Sequence, residues 1–194
     1  MKSKITIKKI QDLLIKGFQT INVDDDTSRR MWWASLEVIQ KEFLSQNCQQ
    51  GGIWVASPLP ALNDKKFFNQ LHGWLWSPEG FPYFQKDNAG FLPANHQAKV
   101  KKDFDFISNY KVLNLSQKDG YEPFLMIITP NFQCILSIAG EKDKKILLMK
   151  CDEESLKISI ELMHAKLNQE NYEEGVKFRN AINNLGNLNI NNQF

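Results

Sequence analysis

Residues 122–167 read EPFLMIITPNFQCILSIAGEKDKKILLMKCDEESLKISIELMHAKL, and this stretch decides the fold. Three apolar runs, EPFLMIIT (122–129), QCILSIAG (133–140) and KKILLMKC (144–151), are separated by turn chemistry. Pro130-Asn131 divides the first from the second, and Glu141, Lys142 and Asp143 divide the second from the third. Runs of this length with such boundaries predict strands in a meander. Phe124, Leu125, Met126, Ile127 and Ile128 leave no polar face. The first strand is therefore expected to lie centrally in its sheet, covered on both faces, with helices on at least one side. Asp152 then offers a helix cap, with Glu153 and Glu154 placed against the positive end of the helix dipole. Leu156, Ile160, Met163 and Leu167 make one helical stripe, which predicts docking on the sheet.

Upstream, Ile10, Leu13, Leu14, Phe18 and Ile21 form a helical stripe over residues 5–22, weakened by Gly17. Asp24, Asp25, Asp26, Thr27 and Ser28 are an acidic, cap-rich lead into a second helix, expected over 28–45. Its stripe is Trp32, Leu36, Ile39 and Phe43, with Leu44 beside it. Gly51-Gly52 ends that helix; Ile53 to Ser57 reads as a strand stopped by Pro58 and Pro60. A short helix over 61–72 and strands over 73–77 and 111–115 follow. Beyond Asn168, Val176, Phe178, Ile182 and Leu185 predict a weaker final helix. The expected architecture is a single α/β (α+β) domain over residues 1–185 with a flexible Asn-rich tail over 186–194. Its mainly antiparallel sheet of five or six strands carries N-terminal helices and a C-terminal helix.

The chain has 194 residues, with 24 basic against 22 acidic side chains and a net charge of +2. That balance points away from nucleic acid and anionic membrane as partners. Lys99, Lys101 and Lys102 are followed at once by Asp103 and Asp105, as in a solvated loop. Cys48, Cys134 and Cys151 are scattered without CxxC spacing, which argues against a disulfide framework and a zinc site. A cytoplasmic location is expected. The basic N-terminal stretch lacks the apolar core of a secretory signal, and no apolar run nears the ~20 residues of a membrane-spanning helix.

Candidate chemistry is sparse. Asp24, Asp25 and Asp26 read as caps, since the alternating acidic positions and Gly of a calcium loop are missing. His72, His96 and His164 are far apart and none neighbours a cysteine, so no metal site is assigned. Ser57 lacks a nucleophile elbow and Gly51-Gly52 lacks a phosphate-loop frame. Cys134 falls inside a central strand, and Asp152, Glu153 and Glu154 oppose any thiolate at Cys151.

Aromatics remain. Trp54, Trp74 and Trp76, with His72 in FFNQLHGWLW and Phe81, Tyr83 and Phe84 in an irregular segment over 78–98, are the candidate ligand-binding residues. Trp74 and Trp76 alternate on one strand face: core if that face is covered, a flat platform if it is open. Trp32 and Trp33 point in different directions from one helix, so at least one should lie near the surface or at an interface.

The order of elements in residues 124–130, 132–138, 146–149 and 152–167, with the earlier strand at 53–58, resembles the DICT sensory domain of cyanobacterial and related signalling proteins, and the GAF- and PAS-like look of such domains. The Trp-rich segment over 72–91 departs from that pattern, and no Cys precedes a His as bilin attachment would need. The resemblance implies a regulatory module usually joined to a kinase or diguanylate cyclase; with neither here, it would act alone, in trans or as a fragment. The expected function is a non-enzymatic cytoplasmic sensory or regulatory module that binds a small ligand or a signalling partner protein, its cofactor unknown. One alternative is a homodimeric scaffold with Trp32 or Trp33 at an isologous interface. Another is a small hydrolase-like enzyme using His72 with Ser57 or an acidic partner.

Overall fold

In the computed structural model, residues 4–16, 23–47, 50–58, 61–62, 64–78, 109–141 and 144–186 are described. The two central strands carry apolar side chains on both faces, and the chain meets that demand with a helical layer on each side. Helix α1 (Ile7–Ile15) and α2 (Asp25–Val38) come first. A π-helical turn (Ile39–Leu44) and a short α3 (Ser45–Asn47) continue α2. Strand β1 (Ile53–Ser57), α4 (Lys65–Gln70), β2 (His72–Ser77) and β3 (Tyr110–Asn114) follow. After a 3-10 turn (Gln117–Asp119) come β4 (Phe124–Ile128), β5 (Gln133–Glu141) and β6 (Lys144–Lys150). Helices α5 (Glu153–Glu170) and α6 (Tyr172–Asn184) close the described chain.

The six-stranded sheet runs β3-β2-β1-β4-β5-β6. The meander pairs antiparallel, with Met126 opposite Ile135 and Ser137 opposite Leu148. Strand β4 also pairs antiparallel with β1, and is central as expected. The other half is parallel: β1 with β2 and β2 with β3. The sheet is thus mixed, a refinement of the mainly antiparallel expectation. The connections between these three strands are long enough for parallel crossovers, which need a dozen or more residues.

Pleating sorts the core into two. On one face Ile53, Val55, Trp74, Trp76, Phe124, Met126 and Ile135 meet α1, α5 and α6 through Ile10, Leu14, Leu156, Met163, Leu167 and Phe178. On the other, Trp54, Leu75, Leu125, Ile127, Cys134 and Leu136 meet α2, the π turn and α4 through Trp32, Leu36, Ile39, Leu44 and Phe67. Helix α2 begins a turn earlier than its stripe implied, because Asp24 is the residue that caps, accepting from the Thr27 amide at 2.7 Å. Asp152 caps α5 the same way, from the Ser155 amide at 2.9 Å. Of the tail expected over 186–194, only Gly186 lies within the described residues.

Helix α1 is held by more than apolar contact. Gln11, almost wholly buried, donates to the Ser137 hydroxyl at 3.0 Å and faces the carbonyls of Glu122, Pro123 and Ile138. The Ile7 amide donates to Asp119 Oδ1 at 3.0 Å, and the Ile5 amide to Gln169 Oε1 at 3.0 Å. The beginning of the described chain is thereby fastened onto its final third.

Candidate functional site

Three parallel strands present their carboxyl ends together, the place where open α/β sheets bind ligands. Strand β3 ends beside β2, the Leu115 amide donating to the Ser77 carbonyl at 2.9 Å. The 3-10 turn that follows is fixed by a capping box between Ser116 and Asp119. This places Asp119 beneath α5, where Lys166 points inward. The Lys166 ammonium donates to Asp119 Oδ1 at 2.6 Å and to Glu170 Oε1 at 2.8 Å, and lies 5.2 Å from the centroid of the Trp76 ring. The Trp76 indole N–H donates to the other Glu170 oxygen at 2.7 Å. Both Lys166 and Asp119 side chains are fully inaccessible to solvent. Burial works to raise the Asp119 carboxyl, but the bonds from Lys166, Ser116 and the Ile7 amide outweigh it and hold it below the usual carboxylate range.

A smaller copy of the arrangement sits one turn along. The Trp74 indole N–H donates to Glu174 Oε2 at 3.0 Å, and Lys177 donates to Oε1 at 2.8 Å. Burial pushes Glu174 up, while Lys177 and Trp74 pull it down further, so it stays ionised. Phe178 packs edge-on against Trp74, with centroids 5.2 Å apart. These charges bind elements to one another: β2 to α5, β2 to α6, and α1 to α5 through Asp119. Those contacts close Lys166 off from solvent.

The residues singled out in the sequence fall apart into different places. Trp74 and Trp76 are fully buried, which makes their strand face core and removes the open platform. Trp54 is also fully buried but projects from the opposite face, lying over its cross-strand neighbour Gly73, where a Cβ would run into the indole. The three tryptophans therefore cannot line one pocket. His72 is exposed at the start of β2, its ring 5.2 Å from Trp74. Phe81, Tyr83 and Phe84 lie outside the described residues, as does His96.

His72 is paired with Ile53 in the register, whereas Ser57 ends β1 four residues on, about 13 Å away along the strand. The geometry does not bring that candidate pair together. Among the described residues the Ser57 and Ser77 hydroxyls are buried without hydrogen-bond partners, but alternation sends them to opposite faces of the sheet. Trp32 is buried and Trp33 is 52% exposed, as two successive helical residues must diverge.

His164 accepts from the Arg179 guanidinium at 2.8 Å, and that group also grips Glu161 through two bonds of 2.8 Å. Partial burial, then the Arg179 charge, lowers the histidine below its ordinary value. Cys134 is fully buried and its thiol pushed well up by that burial. Burial and then Asp152 raise Cys151. Among the described residues no cluster of His, Cys, Asp or Glu could hold a metal, and no helix is long and apolar enough to cross a membrane.

Sequence reading missed Asp119, Lys166, Glu170 and Glu174. A signal existed: Lys166 and Glu170 sit four apart, just beside the apolar stripe at Met163 and Leu167, and Glu174 extends the same side. A lysine beside a stripe is ordinarily read as solvated, and only the tertiary fold places the Asp119 carboxylate against it. No match was found among curated proteins or solved structures. A family model described as a domain of unknown function, DUF8628, matches residues 8–194, and the chain belongs to that family.

Proposed function

We propose that this protein is a non-enzymatic regulatory module of the cytoplasm that works by binding a partner protein. The observation that carries the reading is a contrast between inside and outside. Within, the charged groups near the sheet are taken up in closed contacts that lock α1, α5 and α6 onto one face of it. Outside, large apolar side chains stand open on the helices: Met31, Trp33 and Val38 on α2, and Tyr172 and Val176 on α6. A rigid frame with exposed aromatic and aliphatic anchors fits recognition, where such residues dominate binding energy. The resemblance to DICT sensory domains points the same way. A small-ligand reading retains one supporting observation, the exposed His72 beside Trp74 at the start of β2.

Tryptophan emission tests the proposal. The chain has five tryptophans, and four of them are 6% exposed or less. Partner binding should therefore shift emission mainly through Trp33, and Trp33→Phe should abolish the change while leaving the fold intact. A signalling-partner panel that leaves wild-type emission unmoved counts against the reading.

A further inference from the structure

We infer that α2 carries a self-complementary seam through which two copies of this chain pair antiparallel about a twofold axis. This deepens the reading above and rests on it, naming the partner at that surface as a second copy. Along the solvent side of α2 and the turn after it, Asp26, Arg30, Trp33, Ala34, Glu37 and Lys41 are all exposed. Their arrangement is symmetric about the midpoint between Trp33 and Ala34. Moving outward in equal steps, the next pair is Arg30 and Glu37, and the one after it Asp26 and Lys41. Lys41 lies within the π turn yet stays on this face, since it makes an ion pair with Glu37.

A twofold axis at that midpoint places each residue opposite its mirror position in the partner. Trp33 then covers the small Ala34 of the other copy, a large side chain over a small one. Arg30 meets Glu37, and Asp26 meets Lys41, each contact occurring twice. Parallel pairing in register would instead set Arg30 against Arg30 and Glu37 against Glu37, which is repulsive. The charge pattern thus selects direction as well as partner. The Glu37–Lys41 pair lies within the seam, and the Arg29–Asp25 pair lies beside it on α2. A single helix-on-helix seam is smaller than the ~800 Å² per partner of a standard stable complex, so the association belongs in the micromolar range or weaker.

Sedimentation equilibrium over a wide concentration range reads the prediction directly. Wild-type protein should dimerise, and Arg30→Glu, which faces Glu37, should weaken the dimer roughly tenfold or more. The variant combining Asp26→Lys, Arg30→Glu, Glu37→Arg and Lys41→Glu restores every opposite pair and should dimerise again. Mixed with wild type, it should self-sort, because every cross-pair then carries like charges. Preferred heterodimers would reveal parallel pairing and overturn the inference. So would a wild-type monomer at all concentrations, or a dimer indifferent to Arg30→Glu when both proteins melt alike. A monomer whose Trp33 emission still responds to another protein overturns the dimer alone and leaves the regulatory reading standing.

Discussion

Lys166 has no access to water, and its ammonium is matched by Asp119, Glu170 and the face of Trp76. Removing one member of a buried ion pair leaves the other unpaired at a cost of about 3–5 kcal/mol. Lys166→Met should therefore lower the unfolding free energy measured in urea by that amount, and the added change Asp119→Asn should recover part of the loss. Additive penalties in urea melts would show that the two groups are not coupled. His164 supplies a different lever. Partial burial and then the Arg179 charge shift its folded form below the ordinary value of 6.5, while the unfolded chain titrates near that value. As pH falls through 6.5 the unfolded state takes up the proton first, so the folded state loses relative stability; above that pH the effect vanishes. Thermal melts should fall between pH 7.5 and 5.5 (roughly the histidine range), and His164→Gln should flatten that dependence. A variant as pH-sensitive as wild type would refute the assignment.

At the scale of elements, α6 is attached through Phe178, wholly buried against Trp74, and through Glu174 on the indole of the same tryptophan. Phe178→Ala should cost about 3–5 kcal/mol. Because it opens the shell around Trp74, it should also move tryptophan emission to the red; unchanged emission would mean α6 is not the cover of that indole. Elements whose boundaries depend on local chemistry were legible in the sequence. Asp152 capping α5, the stripe from Leu156 to Leu167, the Pro130-Asn131 turn and the doubly apolar β4 all follow from nearest neighbours. The strands β1 to β3 were legible as strands but not in direction, because pairing direction depends on where a crossover lands. The π turn at Ile39–Leu44 was invisible too. It adjusts α2 so that Ile39 and Leu44 are both buried while Phe43 stacks on Phe132 with centroids 4.6 Å apart, a requirement set by a partner remote in sequence.

For the molecule as a whole, the sandwich explains why the aromatic candidates scattered. A sheet buried on both faces uses Trp54 on one side and Trp74 and Trp76 on the other as filling, and composition alone does not reveal which side each will take. The charged clamp was hidden for the same reason: Asp119 and Lys166 are separated by 47 positions and meet only when α5 packs onto its face of the sheet. The fastening of α1 onto α5 has a consequence for how the protein is made. The Ile5 amide bonds to Gln169, 164 positions later, so residues that leave the ribosome early find their binding site only when late ones have followed. Until residues 119–138 have been made, α1 lacks the Asp119 and β5 partners that hold Ile7 and Gln11, and an isolated helix of nine residues is not stable in water. Stalled chains ending before residue 119 should be cut by protease within 7–15, and chains long enough to expose residue 170 outside the exit tunnel should resist. Early protection would mean that α1 has another cradle. Otherwise the later β5 and α5 decide when α1 stops being a substrate for cellular quality control.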